Sequence, residues 1–372
     1  MNISPTAENV LFIAPLPPPI DGQSKASYVA LEAIKEGNLP VNVVNINRSG
    51  LSRSFVHQAR RVADVLLILA EILARRRKAR IVFLSLSESV LGNIKDLLIY
   101  CLLIGKLNGL TIQMLGGSGM STILNRRLLL SRLNRFFMRR MNGVIVEGRW
   151  GREVFAAAFP AKKIHIVKNF VDEYLFVSED EIRSKFARRD ITQILYLSNM
   201  IFEKGYLDLL AAFVSLPPEI KCRYCLKFVG GFPEEADRAK FLKMIADEPS
   251  IEYLGRFIDG IEKKALYYQT HIFCLPTYYP FEGQPISILE AYASGCVVVT
   301  TLHGGIPDVF GDGINGFGVS PKDPDSIAAQ LIRAASNVDT LERIALNNMS
   351  EAREKYRISR YKSQIREAIA MC

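Results

Sequence analysis

Apolar residues along this chain come in short blocks, separated by longer stretches in which they recur every three or four positions. In the first half the blocks are Val10–Ala14, Val41–Ile46, Ile81–Ser85, Thr111–Leu115, Val144–Glu147 and Ile164–Val167. In the second half they are Ile194–Ser198, Leu226–Gly230, Ile251–Leu254, Ile272–Pro276 and Val297–Thr301. Blocks this short and rich in Val and Ile, bounded by turn residues, read as buried strands. Strands alternating with amphipathic helices predict an α/β chain with parallel sheets covered on both faces. Two such sets predict two doubly wound, Rossmann-like domains, and 372 residues exceed the size at which one core stops growing. The expected division is a first domain over 1–170, a polar linker over 171–190 and a second domain over 191–350. A C-terminal helix over 351–372 can then cross back to the first domain. Such sheets bind ligands at the carboxyl ends of their strands, so the site is expected in a cleft faced by both domains.

Composition narrows the class. At 49% hydrophobic and 23% charged residues the chain reads as globular. The longest apolar runs, Val65–Ala74 and Leu97–Gly105, are too short or interrupted to span a bilayer. Met1–Asn9 has neither the basic region nor the apolar stretch of a signal peptide. Six cysteines in a chain this long make no disulfide framework, so a cytoplasmic location is expected. Cys222 and Cys225 form one C-x-x-C without a second pair and read as ordinary residues rather than a metal site.

Charge is unevenly divided. Residues 1–175 hold 24 Lys and Arg against 12 Asp and Glu, and the remainder holds 23 against 26. From Cys101 to Val146 there is no acid at all. Within that stretch, Asn125–Met141 is expected as one helix with two stripes. Leu130, Leu133, Phe137 and Met141 form the apolar one, and Arg132, Arg135 and Arg139 the basic one. A basic amphipathic helix suits an anionic membrane surface; the plainer reading is a helix that packs its apolar stripe on the sheet and leaves its arginines in water. Aromatic residues are not interleaved with these charges, so nucleic acid is a poorer partner.

The densest chemistry lies in Phe281-Glu282-Gly283-Gln284-Pro285-Ile286-Ser287-Ile288-Leu289-Glu290-Ala291. Two acids stand eight positions apart, one in a Gly/Pro loop and one in an apolar helix. That helix is expected to start at Pro285, whose missing N–H costs nothing at the first helical position, and to stop before Gly295. A helix N-terminus offers N–H groups and partial positive charge to an anion, and nearby carboxylates accept hydrogen bonds from hydroxyls. Phosphates and hydroxyls together describe a sugar nucleotide.

Other candidate loops also follow strands. Pro15–Ser24 carries Gly22 at the start of a helix, where the backbone can approach a ligand. Asn199–Gly205 carries Lys204, which can neutralise a diphosphate. Gly255-Arg256-Phe257 and Gly230-Gly231 are tight turns, and His303 precedes Gly304-Gly305 with no partner evident in the sequence. No Asp-x-Asp suggests a metal site, and no Gly-x-Gly-x-x-Gly follows the first strand, which disfavours a dinucleotide oxidoreductase.

Taken in order, these residues resemble the GT-B fold retaining glycosyltransferases of family 4, the group 1 type. The resemblance is strongest over 282–325, where Glu-x7-Glu is followed by Ala-Ser-Gly, a valine strand, Gly-Gly-Ile-Pro-Asp and Asn-Gly-Phe. Pro-Pro-Pro-x-x-Gly near the start and Pro-Thr-Tyr-Tyr before Glu282 are similar to bacterial surface-polysaccharide enzymes. The resemblance implies transfer from a UDP- or GDP-sugar to a glycan, lipid-linked, by an enzyme without metal or cofactor on the inner face of the cytoplasmic membrane. It assigns Glu282 to the donor sugar, Lys204 and Gly22 to the diphosphate and Glu290 to the ribose. The backbone of Gly283, Gln284, Pro285, Ile286 and Ser287 faces the sugar and phosphates, and Arg256 and Phe257 edge the base. Lys204 and Glu282 are the catalytic pair. Two positions depart from the pattern: Asn199 stands where the family often has arginine, and Gln113–Ser118 lacks a histidine common after that strand. These departures keep open a catalytically silent sugar-nucleotide-binding protein. A sugar-nucleotide epimerase or hydrolase would need an acid/base constellation that the first domain does not display in sequence.

Overall fold

The computed structural model describes residues 9–47, 55–187, 191–255 and 258–370, leaving aside the side chains of 55–61. The chain divides into two compact units. Unit 1 comprises Met1–Asn169 with Ser359–Cys372, and unit 2 comprises Phe170–Ile358.

Unit 1 is built on β1 (Asn9–Ala14), β2 (Val41–Asn45), β3 (Ala79–Ser85), β4 (Leu110–Met114), β5 (Gly143–Val146) and β6 (Ile164–Ile166), parallel in the order β2-β1-β3-β4-β5-β6. Unit 2 is built on β7 (Thr192–Leu197), β8 (Tyr224–Val229), β9 (Ile251–Tyr253), β10 (Ile272–Leu275), β11 (Val297–Thr301) and β12 (Gly316–Val319), in the order β12-β11-β10-β7-β8-β9. Every residue of β4, β5, β10 and β11 is buried. That is why those segments read as continuous apolar blocks and not as alternating ones.

All eleven expected strands are present, within a residue or two at their ends. The twelfth, β12, falls where the sequence reads as turns. It contains two glycines and pairs with β11 because Gly316, at φ +153°, sits against the backbone of Val298; a Cβ there would lie 1.7 Å from the Val298 carbonyl oxygen. A strand selected by close backbone approach has no β-branched signature.

The described part of 171–190, read from sequence as a linker, carries buried side chains of the unit 2 core. Leu175, Ile182 and Phe186 are enclosed there, and Lys185 Nζ donates 2.8 Å bonds to the carbonyls of Thr270 and Ser294. The polar residues that suggested a linker form the outer side of the helix Glu179–Ala187. The C-terminal helix Ile358–Ala370 contributes Tyr361 to unit 1, where Gln113 Nε2 donates to the tyrosine hydroxyl at 3.0 Å.

The stretch 125–141 is not one helix. Arg127, at φ −113° and ψ 82°, separates the helix Ser118–Arg126 from the helix Leu128–Met138. Phe137 and Met141 are buried as expected, but Leu130 is half-buried and Leu133 exposed, because the buried face of the second helix runs through Ser131, Asn134, Phe137 and Met138.

Candidate functional site

In unit 2 the loops at the carboxyl ends of β7, β10 and β11 converge. Gly205 follows the turn Phe202–Lys204 with φ +77°, and a Cβ on it would lie 2.3 Å from the Pro276 carbonyl oxygen. This close approach draws the Lys204 loop against the segment after β10, where the Tyr278 N–H donates to the Glu203 carbonyl at 2.8 Å. Gly304 and Gly305 do the same from the β11 side. Cβ atoms there would meet backbone atoms of Glu282 and Gly283 at 2.3 and 2.8 Å. His303 presents a ring nitrogen 2.9 Å from the Tyr279 carbonyl oxygen, so it braces this loop.

Glu282 and Lys204, 78 positions apart, meet at the centre of this arrangement. Lys204 Nζ lies 2.8 and 2.7 Å from the two carboxylate oxygens, and the Thr277 hydroxyl donates to Glu282 Oε2 at 2.6 Å. Lys204 also lies over the Tyr279 ring, 4.9 Å from its centroid. Glu282 is 5% exposed. Enclosing a carboxylate to this extent is costly unless such partners replace the water it loses.

The helix Ile286–Ala293 begins one residue later than its proline suggested. Pro285 is its cap, in extended conformation, with its carbonyl accepting from the Ile288 N–H at 3.1 Å. Gln284, Pro285 and Ile286 are buried, and Gly283 and Ser287 are half-buried. Glu290 lies in the second turn and is 1% exposed. Its Oε1 accepts from Lys263 Nζ at 2.6 Å and its Oε2 from the Tyr267 hydroxyl at 3.3 Å. Burial, with the Glu290 charge alongside, holds the Tyr267 hydroxyl well above its ordinary pKa. Lys263 escaped the sequence reading: it sits in an amphipathic helix beside Lys264, and no local spacing connects it with Glu290.

Asn199 has an exposed side chain, and its carbonyl accepts from the buried Tyr196 hydroxyl at 3.2 Å. Arg256 and Phe257 lie outside the described residues. Gly22, in unit 1, opens the helix Gly22–Glu36 behind an Asp21–Ser24 capping box, and a Cβ on it would meet nothing within 4 Å.

In unit 1, Glu88 is among the acids that the sequence did not single out. Glu88 follows β3 and plugs the N-terminus of the helix Ser118–Arg126, where its Oε2 accepts from the N–H groups of Gly119 and Met120 at 2.6 and 3.2 Å. Among the described residues its Oε1 is buried without a hydrogen-bond partner. Burial outweighs the helix N–H groups and pushes the Glu88 carboxyl up to about 7. Gly119 admits it, since a Cβ there would lie 2.6 Å from Oε2. Arg132, Arg135 and Arg139 lie on the helix Leu128–Met138 and at its end, Arg135 half-buried and the other two exposed.

Two doubly wound parallel sheets, the second with a charged loop cluster at its strand ends, are those of the GT-B fold. Residues 178–351 match the family model of the glycosyl transferases group 1. An uncharacterized glycosyltransferase of Methanocaldococcus jannaschii is 29% identical over 208 residues, covering 53% of this chain and 51% of the relative. The O-antigen chain mannosyltransferase B of Escherichia coli is 29% identical over 161 residues, covering 43% and 41%. The chain thus spans about half the length of the first of these curated relatives, and less of the second. The crystal structure of Anabaena HepE in complex with UDP superposes with a TM-score of 0.72 at 16% identity, covering 98% of this chain and all of that one, a likeness of fold.

Proposed function

We propose that this protein is a retaining, metal-independent glycosyltransferase of surface-polysaccharide synthesis. It moves a sugar from a UDP- or GDP-linked donor to a lipid-linked glycan at the inner face of the cytoplasmic membrane. The observation that carries the reading is the Lys204–Glu282 pair, held with Thr277 beside the N-terminus of the helix Ile286–Ala293 inside the span that matches the group 1 model. A lysine ammonium has three N–H donors. With two directed at Glu282, the third is available to a diphosphate oxygen, and the helix N–H groups supply further donors. Glu282 accepts from the donor sugar's hydroxyls. Glu290, through the Lys263–Tyr267 arrangement that fixes its carboxylate, serves the ribose side.

In a same-face transfer the bond from the sugar to the diphosphate breaks as the acceptor oxygen bonds to the same face. The departing phosphate oxygen takes the acceptor hydroxyl's proton. The protein then supplies position and compensating positive charge. UDP bound to HepE and the mannosyl transfer named for the Escherichia coli relative support the donor class.

A second reading, a sugar-nucleotide-binding protein without turnover, is favoured by one feature: Asn199 stands open where an arginine is expected. A thermal-shift panel of UDP-, GDP- and ADP-sugars identifies the donor, because a ligand bound only by the folded state raises apparent stability. Release of free UDP or GDP in the presence of membrane acceptor then separates the two readings. Binding without release overturns the transferase, and no binding by any sugar nucleotide overturns both.

A further inference from the structure

The break at Arg127 brings arginines from two helices around one hollow. Arg126, from the end of the first helix, and Arg132 and Arg135, from the second, border a recess of about 420 Å³. Arg132 and Arg135 also line a neighbouring recess of about 320 Å³ together with Phe136, Arg139 and Arg140. Arg135 is oriented by neutral groups: its Nε donates to Ser131 Oγ at 3.2 Å and its terminal nitrogen to the Leu124 carbonyl at 3.3 Å. Among the described residues no carboxylate pairs with any of these five arginines. None is available in sequence either, from Cys101 to Val146.

Like charges gathered around a hollow repel one another, and the repulsion is relieved by an anion. Planar guanidinium groups match phosphate oxygens in paired hydrogen bonds. The rim is apolar as well as basic. Leu128 and Phe136, one in each recess, and Leu129, next to Leu128 in the chain, are all exposed, Leu129 at 71%. The adjoining helix Val90–Leu102 exposes Leu91, Ile94 and Leu98. Its inner side is bound to the arginine helix by reciprocal Asn93–Asn134 bonds of 3.1 and 2.9 Å. A soluble phosphate ester would not need greasy residues around its site. A phosphate at the surface of acyl chains would.

We propose that this twin recess is a specific binding site for the phosphate of a lipid headgroup, with Arg132 and Arg135 as its shared ligands and Leu128, Leu129 and Phe136 entering the acyl layer. The proposal rests on the membrane-surface part of the reading above and sharpens it from diffuse attraction to a site.

The test is co-sedimentation of the full chain with phosphatidylcholine vesicles containing either phosphatidic acid, an exposed phosphomonoester, or phosphatidylserine, matched in surface charge. A site predicts roughly tenfold tighter binding to the phosphatidic acid vesicles, about the ratio one added charge-assisted hydrogen bond supplies. Arg132→Gln, at an exposed position that folding does not need, should erase that preference, whereas Arg77→Gln, outside the recess, should retain it. Equal binding to both vesicles by the unaltered chain overturns the site and leaves the membrane reading standing. No binding to either overturns both. Inorganic phosphate that displaces the protein from phosphatidic acid vesicles already at a concentration equal to that of the lipid phosphate would show that the acyl surface contributes nothing, assign the recess to soluble phosphate and overturn the lipid assignment. Loss of preference in Arg77→Gln as well would reduce the effect to overall charge and likewise overturn it.

Discussion

Two groups of cations, one in each unit, are handled in opposite ways. In unit 2, Lys204, Lys263 and Lys185 are each enclosed and hydrogen-bonded, the first two to carboxylates and the third chiefly to carbonyls. In unit 1 the arginines around the Arg127 break lie at the surface with no carboxylate partner among the described residues. Removing an ion from water costs several kcal/mol, so a buried lysine is tolerated only in a geometry that satisfies it. An exposed arginine meets no such demand and can be left unpaired at the cost of mutual repulsion. Buried pairs therefore report where side chains are being held. The unpaired cluster is where we propose a partner outside the chain.

The sharpest way to break this contrast is at Lys263. Lys263→Met leaves the Glu290 carboxylate buried without its cation, and the expected cost is about 3–5 kcal/mol in urea denaturation. Adding Glu290→Leu should recover most of it, since an apolar pair of similar size needs no compensation. A single-variant loss under about 1 kcal/mol would show that burial does not constrain this pair.

At Lys204 and Glu282 the main effect is expected on rate. Each alanine variant should lower turnover by about 10²–10³-fold in a saturating-donor assay, because both groups face positions where charge develops. A chelator should leave the rate unchanged; activity lost in EDTA and restored by magnesium or manganese would contradict metal-free chemistry.

Two groups set opposite pH responses in the two units. Glu88 is raised from 4.5 to about 7 in the fold, so its contribution is present below the unfolded value and is lost as pH rises from about 4.5 to 7. His271, in unit 2, is lowered from 6.5 to about 4, chiefly by burial and then by the Lys185 charge. Its contribution is present above 6.5 and is lost as pH falls toward 4. Denaturation midpoints compared between pH 5 and 8 should show Glu88→Gln gaining relative stability at the higher pH, by up to about 3 kcal/mol. A variant that tracks the unaltered chain at both pH values would place the Glu88 pKa near its ordinary range.

The smallest effect on stability is expected where the charge is unpaired. Reversing Arg132, Arg135 and Arg139 to glutamate should change folding by roughly 0.5 kcal/mol or less. The same change should abolish binding to anionic vesicles while leaving sugar-nucleotide binding intact. A large loss of stability would mean that these arginines hold the fold.

Strand–helix alternation, the two sheets, the loops that carry Lys204 and Glu282 and the helix that carries Glu290 were legible in the chain, because burial on both faces of a parallel sheet writes itself as local apolar runs. What stayed illegible has a common cause. The pairing of Lys204 with Glu282 spans 78 positions, that of Lys263 with Glu290 spans 27, and Glu88 meets the helix N–H groups 31 and 32 positions later. No periodicity connects residues that meet only when separate crossovers bring strand ends together. β12 was hidden because its pairing depends on backbone approach at Gly316, and the break at Arg127 because two helices of one composition read as a single stripe. Local order follows from side-chain pattern. Which charge finds which partner, and which is left to find one outside the chain, is decided by packing at long range.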